Sequence, residues 1–116
     1  GAPAIAGEVV LGGKLAAQAK PDDVVFIFAR AADGSSRMPL AVVRVRVADL
    51  PFRFRLDDST GMPGGQKLSE AQTVIVEARI AKAGMAQPSS GDLFGVAEAT
   101  KVGSQGVRLV IDQVQP

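Results

Sequence analysis

Histidine, cysteine, tryptophan, tyrosine and asparagine are all absent from this 116-residue chain. Without histidine or cysteine, zinc, copper, axial haem ligation and nucleophile–base pairs lose their usual donors, which leaves carboxylates and three methionines. Most enzyme classes are thereby disfavoured, and neither a metal nor a cofactor is expected. The only rings are five phenylalanines, most of them on apolar faces, so the exposed aromatics that stack on sugars or single-stranded nucleic acid are missing. Charge of one sign is missing too. Thirteen Lys and Arg against twelve Asp and Glu give a net charge of +1, and any charged partner must be met locally. No apolar run approaches the roughly 18 residues that cross a bilayer, and the start Gly1-Ala2-Pro3 has neither an initiator Met nor the charged opening of a signal peptide. Residues 1–116 are expected to be one soluble domain, a fragment of a longer protein, that does not itself insert in a membrane.

What is present is strand-like. Asp22 to Val47 holds two apolar runs, Val24 to Ala29 and Leu40 to Val47, separated by a polar loop, which predicts a β-hairpin. The first run, Val24-Val25-Phe26-Ile27-Phe28-Ala29, has no polar position and reads as a central strand covered on both faces. The second alternates Ala41, Val43, Val45 and Val47 with Arg44 and Arg46. Further alternating runs occur at Ile5 to Leu11, Phe52 to Leu56, Val74 to Ile80, Phe94 to Val102 and Val107 to Ile111. Lys14 to Ala19 predicts one short helical turn that packs Leu15, and Asp49-Leu50-Pro51 a corner between strands. The expectation is an all-β, antiparallel β-sandwich of about seven strands with Greek-key links, a partly open barrel being the alternative. Phe26, Phe28, Val43, Val45, Phe54, Val76, Ile80, Leu109 and Ile111 are expected to face inward.

Four constellations merit a functional reading beside a structural one. Arg44, Arg46, Arg53 and Arg55 lie on consecutive strands and form either a basic stripe or a solvated face interleaved by Glu8, Glu77 or Asp112; the small net charge favours the second. Phe52-Arg53-Phe54-Arg55 is not a nucleic-acid signature, because a period of two sends rings and charges to opposite faces. Asp57 and Asp58 are adjacent and diverge in an extended chain, so they read as a turn cap rather than an acid–base or metal pair. Finally, two loops contain Met-Pro. Either Arg37, Met38, Pro39, Met62 and Pro63 make a small apolar patch with a cationic edge, suited to a peptide or a neighbouring domain, or each Met plugs the end of the core.

Several of these segments carry a family resemblance: Phe28 to Ala31, Arg37 to Val42, Asp49 to Pro51, Asp57 to Met62, Val76 to Ile80, Pro88 with Gly91-Asp92-Leu93, and Lys101 to Gly103. Together they resemble the C-terminal periplasmic region of c-type cytochrome biogenesis proteins of the CcmI/CycH type. The resemblance implies a non-catalytic interaction or scaffold domain in the periplasm, normally tethered to the inner membrane and preceded by tetratricopeptide repeats. Its implied partners are apocytochrome c, the haem-ligation proteins and the upstream repeat domain, with no role for nucleic acid. The family's apocytochrome binding lies in those repeats, so no family site residue transfers to a position here. The alternative is a structural periplasmic β-sandwich that only docks to its own neighbouring domain.

Overall fold

The computed structural model describes residues 3–33, 38–61, 65–84 and 88–116. Among these, the alternating segments form eight strands: β1 Ile5–Leu11, β2 Val24–Ala31, β3 Ala41–Arg46, β4 Phe52–Leu56, β5 Thr73–Ala81, β6 Leu93–Lys101, β7 Val107–Ile111 and β8 Gln113–Val114. Two sheets result, ordered β4-β1-β7 and β3-β2-β5-β6-β8. The pairs are antiparallel except β1 with β7, which run parallel. The architecture is therefore the expected sandwich, with one parallel pair in it. After β3 the chain leaves the five-stranded sheet through the Leu50-Pro51 corner, makes β4 in the other sheet, and returns as β5 beside β2. That crossed return is a connection of the Greek-key kind.

Strands β1 to β7 each turn one face to a single core, while the two-residue β8 stays exposed. Ile5 and Val9 of β1, Leu56 of β4, and Leu109 and Ile111 of β7 meet Val25 and Ile27 of β2 and Val74, Val76 and Ile80 of β5 in that core. The residues between 13 and 18 form a 3₁₀ turn whose Leu15 is buried, as its position before Pro21 suggests. Phe54, Val76, Ile80, Leu109 and Ile111 are buried as expected, and Val43 and Val45 pack half-buried against them.

Phe26 and Phe28 are not in that core. In β2 it is Val25, Ile27 and Ala29 that are fully buried, and the two rings stand half-buried on the outer face. Nor is β2 central. β5 occupies the middle of the sheet, and β2 is second from its edge. An unbroken apolar run cannot reveal which of its two faces meets the core, because both phases look alike.

The two sheets approach most closely where β6 crosses β7. A Cβ built on Gly95 would overlap the carbonyl of Val110, so only glycine lets the two backbones meet there. Asp112 N then donates to Phe94 O at 3.2 Å, joining the chain after β7 to the larger sheet.

Candidate functional site

The loop end of the sandwich is closed by short-range polar contacts. Leu40 is buried, and its N–H donates to Ala29 O at 2.7 Å, completing the β2–β3 link just inside Met38 and Pro39. A Cβ on Gly61 would lie 3.1 Å from Leu40 O, so the base of the loop after β4 abuts the base of the loop after β2. Met38 is 50 % exposed and Pro39 half-buried at this end. Arg37, Met62 and Pro63 lie outside the described residues, as does Met85.

The adjacent carboxylates point to separate tasks. Asp57 caps the 3₁₀ turn 58–60: Oδ1 accepts from Ser59 N at 2.9 Å and from the Ser59 hydroxyl, while Oδ2 accepts from Arg55 Nε at 3.1 Å. Asp58 accepts from Ser69 N at 3.0 Å and from the Ser69 hydroxyl at 2.6 Å, pinning the turn that buries Leu68. The hydroxyl of Ser59 and then the Arg55 guanidinium hold Asp57 below the usual carboxylate range; the hydroxyl and N–H of Ser69 do the same for Asp58. Asp57 is the turn cap that the sequence suggests, whereas Asp58 instead holds a residue eleven positions on. Among the described residues no three His, Cys, Asp or Glu side chains gather as metal ligands.

The four sheet arginines are divided between the two sheets. Arg53 and Arg55 belong to β4 and Arg44 and Arg46 to β3, so they form no single stripe across neighbouring strands. Proximity in sequence misleads here because the chain changes sheets between β3 and β4. On the three-stranded sheet Glu8 stands in register between Arg53 of β4 and Arg108 of β7, beside a shallow cleft of about 460 Å³. Charge is interleaved there. On β3, Arg44 is opposite Phe26 and Arg46 opposite Val24, with no carboxylate in register.

The outer face of the five-stranded sheet carries a polar cluster that the sequence alone does not reveal. Glu77 and Arg79, on the outward phase of β5, are only 5 % and 4 % exposed. Arg79 Nε donates to Glu77 Oε2 at 2.9 Å, Nη1 lies 3.5 Å from Asp92 Oδ2, and Nη2 donates to Gln115 Oε1 at 3.2 Å. Its Cζ lies 4.9 Å from the centroid of the Phe94 ring. Fully buried Asp92 also accepts from Lys82 N at 2.9 Å and Ser89 N at 3.0 Å. The strand register sets Arg44, Phe26, Arg79, Phe94 and Gln113 in one row across all five strands. The sequence holds only partial signs of this cluster, which gain their meaning once the strands are paired. Opposite charges two residues apart on β5, and an apolar phase on β2 left over after the core was filled, both mark a face too apolar to be ordinary surface.

A family model for the Ig-like domain of cytochrome c-type biogenesis protein H matches residues 5–112. The chain belongs to that family. This chain is similar to the cytochrome c-type biogenesis protein CycH of Pseudomonas aeruginosa, at 43 % identity over 99 residues, 81 % of this chain and 24 % of that protein. It is also similar to an uncharacterized protein of Aquifex aeolicus, at 33 % identity over 114 residues, 95 % of this chain and 71 % of that protein. The chain thus spans about a quarter of the Pseudomonas relative and most of the Aquifex one. No solved structure matches it. Among the described residues no helix of this CycH-family domain is long and apolar enough to cross a membrane.

Proposed function

We propose that the chain is a non-catalytic interaction module of the cytochrome c maturation apparatus, one domain held in the periplasm as part of a longer protein anchored in the inner membrane. In this reading it helps to hold apocytochrome c for the haem-ligation proteins, through the loop end of the sandwich. The observation that carries the reading is half-exposed Met38 beside Pro39, on a loop whose base is locked to the neighbouring loop at Leu40 and Gly61. A methionine adapts to an apolar partner, while the restrained proline lowers the ordering cost of binding. Arg37 directly precedes Met38 in sequence, and Met62-Pro63 repeats the Met-Pro pair on the neighbouring loop; together they would give the patch a cationic edge. Family membership supplies the cytochrome c context. A donor set without His or Cys fits a helper that handles no haem covalently.

The test is Met38→Ser combined with Met62→Ser in the full-length protein, followed by capture with apocytochrome c and with the haem-ligation proteins. Lost capture at unchanged thermal stability supports the contact; capture unchanged, or a large fall in stability, removes it. A second reading, docking to a neighbouring domain of the same chain, is favoured by the greater length of the Pseudomonas relative. It predicts that the same pair of changes frees this domain from the rest of its own protein and leaves capture of apocytochrome c intact. Purified protein should be colourless and metal-free, and a Soret band that survives gel filtration after haem addition would contradict the haem-free assignment.

A further inference from the structure

The outer face of the five-stranded sheet combines two properties that the other face does not. Its floor on β2 is apolar, with Phe26 and Phe28 half-buried and Val42 beside Phe28 on β3. Along the same side run Arg44 and Arg46, both exposed. Among the described residues neither guanidinium lies within ion-pair distance of a carboxylate. Arg30, 45 % exposed at the end of β2, is already paired with Glu77, its Nη2 lying 3.8 Å from Oε1, so the available cations are Arg44 and Arg46. Of the carboxylates near this face, Glu77 and Asp92 are buried and paired with Arg79, Glu77 also with Arg30; Glu98 is on β6, three strands from β3; and Asp49, just after β3, is held by the backbone N–H of Arg46 at 2.9 Å. The β2–β3 side of the face therefore joins a half-buried apolar floor to the exposed guanidinium groups of Arg44 and Arg46, although the whole chain carries a net charge of only +1.

We propose that the β2–β3 side of this face docks an acidic, apolar segment of a protein partner, its carboxylates over Arg44 and Arg46 and its apolar side chains over Phe26 and Phe28. Charge complementarity selects the sign of the partner, and the rings supply the area that charge alone does not. A second copy of this chain does not fit. The outer face of the three-stranded sheet also bears exposed arginines, Arg53, Arg55 and Arg108, against the single Glu8 of β1, so stacked copies would set like charges together. This surface lies on strands rather than on the Met38 loop end, and it stands or falls independently of the loop contact.

The 116-residue chain is titrated, by fluorescence anisotropy, with three labelled synthetic peptides: one of glutamate and leucine, one of lysine and leucine, and one of glutamate and serine. The glutamate–leucine peptide is expected to bind in preference to the other two, and to weaken at about 1 M salt, where the Debye length is only about 3 Å. Arg44→Glu should weaken it by roughly tenfold or more, and Phe28→Ser should weaken it at low and high salt alike. Arg53→Glu, an equivalent reversal on the other sheet, should leave it unchanged. Arg44 is exposed, so its variant should keep the wild-type thermal transition; Arg44→Gln serves as the milder form. No binding by the wild type, equal binding of the lysine–leucine peptide, or equal losses from Arg44→Glu and Arg53→Glu would overturn the proposal. So would displacement of the peptide by phosphatidylglycerol vesicles that themselves require Phe28, or a concentration-dependent dimer that excludes the peptide.

Discussion

Arg79 and Glu77 stand two residues apart on β5 and meet at 2.9 Å, each about as buried as the hydrophobic core although both point away from it. The pair, with Asp92 and Gln115, ties the middle strand to the β5–β6 turn and to the chain following β8. Removing the cation alone leaves buried Glu77 with only the 3.8 Å contact to half-exposed Arg30, and buried Asp92 with only the backbone N–H groups of Lys82 and Ser89. Arg79→Met should therefore destabilise by about 3–5 kcal/mol, whereas Arg79→Met combined with Glu77→Leu should be markedly milder, since a neutralised pair leaves no orphan charge at position 77. Urea unfolding of the wild type, Arg79→Met, Glu77→Leu and the double variant measures this. Losses that simply add would show that the two side chains are not coupled.

The crossing of β6 over β7 depends on a missing methyl group. Gly95→Ala should cost about 1–3 kcal/mol, because the obstructing atom is the Val110 backbone carbonyl and not a side chain that can turn aside. Gly13 has nothing within 4 Å of its would-be Cβ, and Gly13→Ala should change stability by about 0.5 kcal/mol or less. Equal melting temperatures for the two variants would mean that the sheets separate at this point without penalty.

Two phenylalanines distinguish the faces by energy. Phe54 is 3 % exposed, so Phe54→Ala should destabilise by about 3–5 kcal/mol. Phe28 is half-buried on the outer face, and Phe28→Ala should cost only about 1–2 kcal/mol, roughly half the transfer term with little cavity behind it. A reversed order in chemical denaturation would place β2 in the opposite phase.

Acid should weaken the carboxylate contacts of Asp57 and Asp58. Asp57 and Asp58 are held below their ordinary values in the folded chain, so the folded state binds these protons less readily than the unfolded state does. Their contribution is present in full above about pH 4 and is lost as the pH falls through the lowered folded values. Asp58→Asn should lower Tm near neutral pH and narrow the gap between neutral and strongly acid Tm. If the gap is as wide in the variant as in the wild type, the acid sensitivity arises elsewhere.

Period-two patterning was enough to place the strands, because alternation reports a half-buried strand whatever its partners: every apolar run from Ile5 to Ile111 became one, and Leu15 packed as its short turn predicted. The cap at Asp57 was equally legible, since Asx chemistry is local in sequence; the bond from Ser69 to Asp58, eleven residues away, was not. So was the family, through segments that run most of the length of the chain. Which face of β2 meets the core was not legible, because Val24 to Ala29 is apolar in both phases and only the partner layer chooses between Ile27 and Phe28. Pairing was not legible either. The change of sheet after β3 parts Arg44 and Arg46 from Arg53 and Arg55, and the return of β5 beside β2 sets Arg79 between Phe26 and Phe94. Burial of that arginine arises from side chains dozens of residues away, so it exists only once the strands are in register.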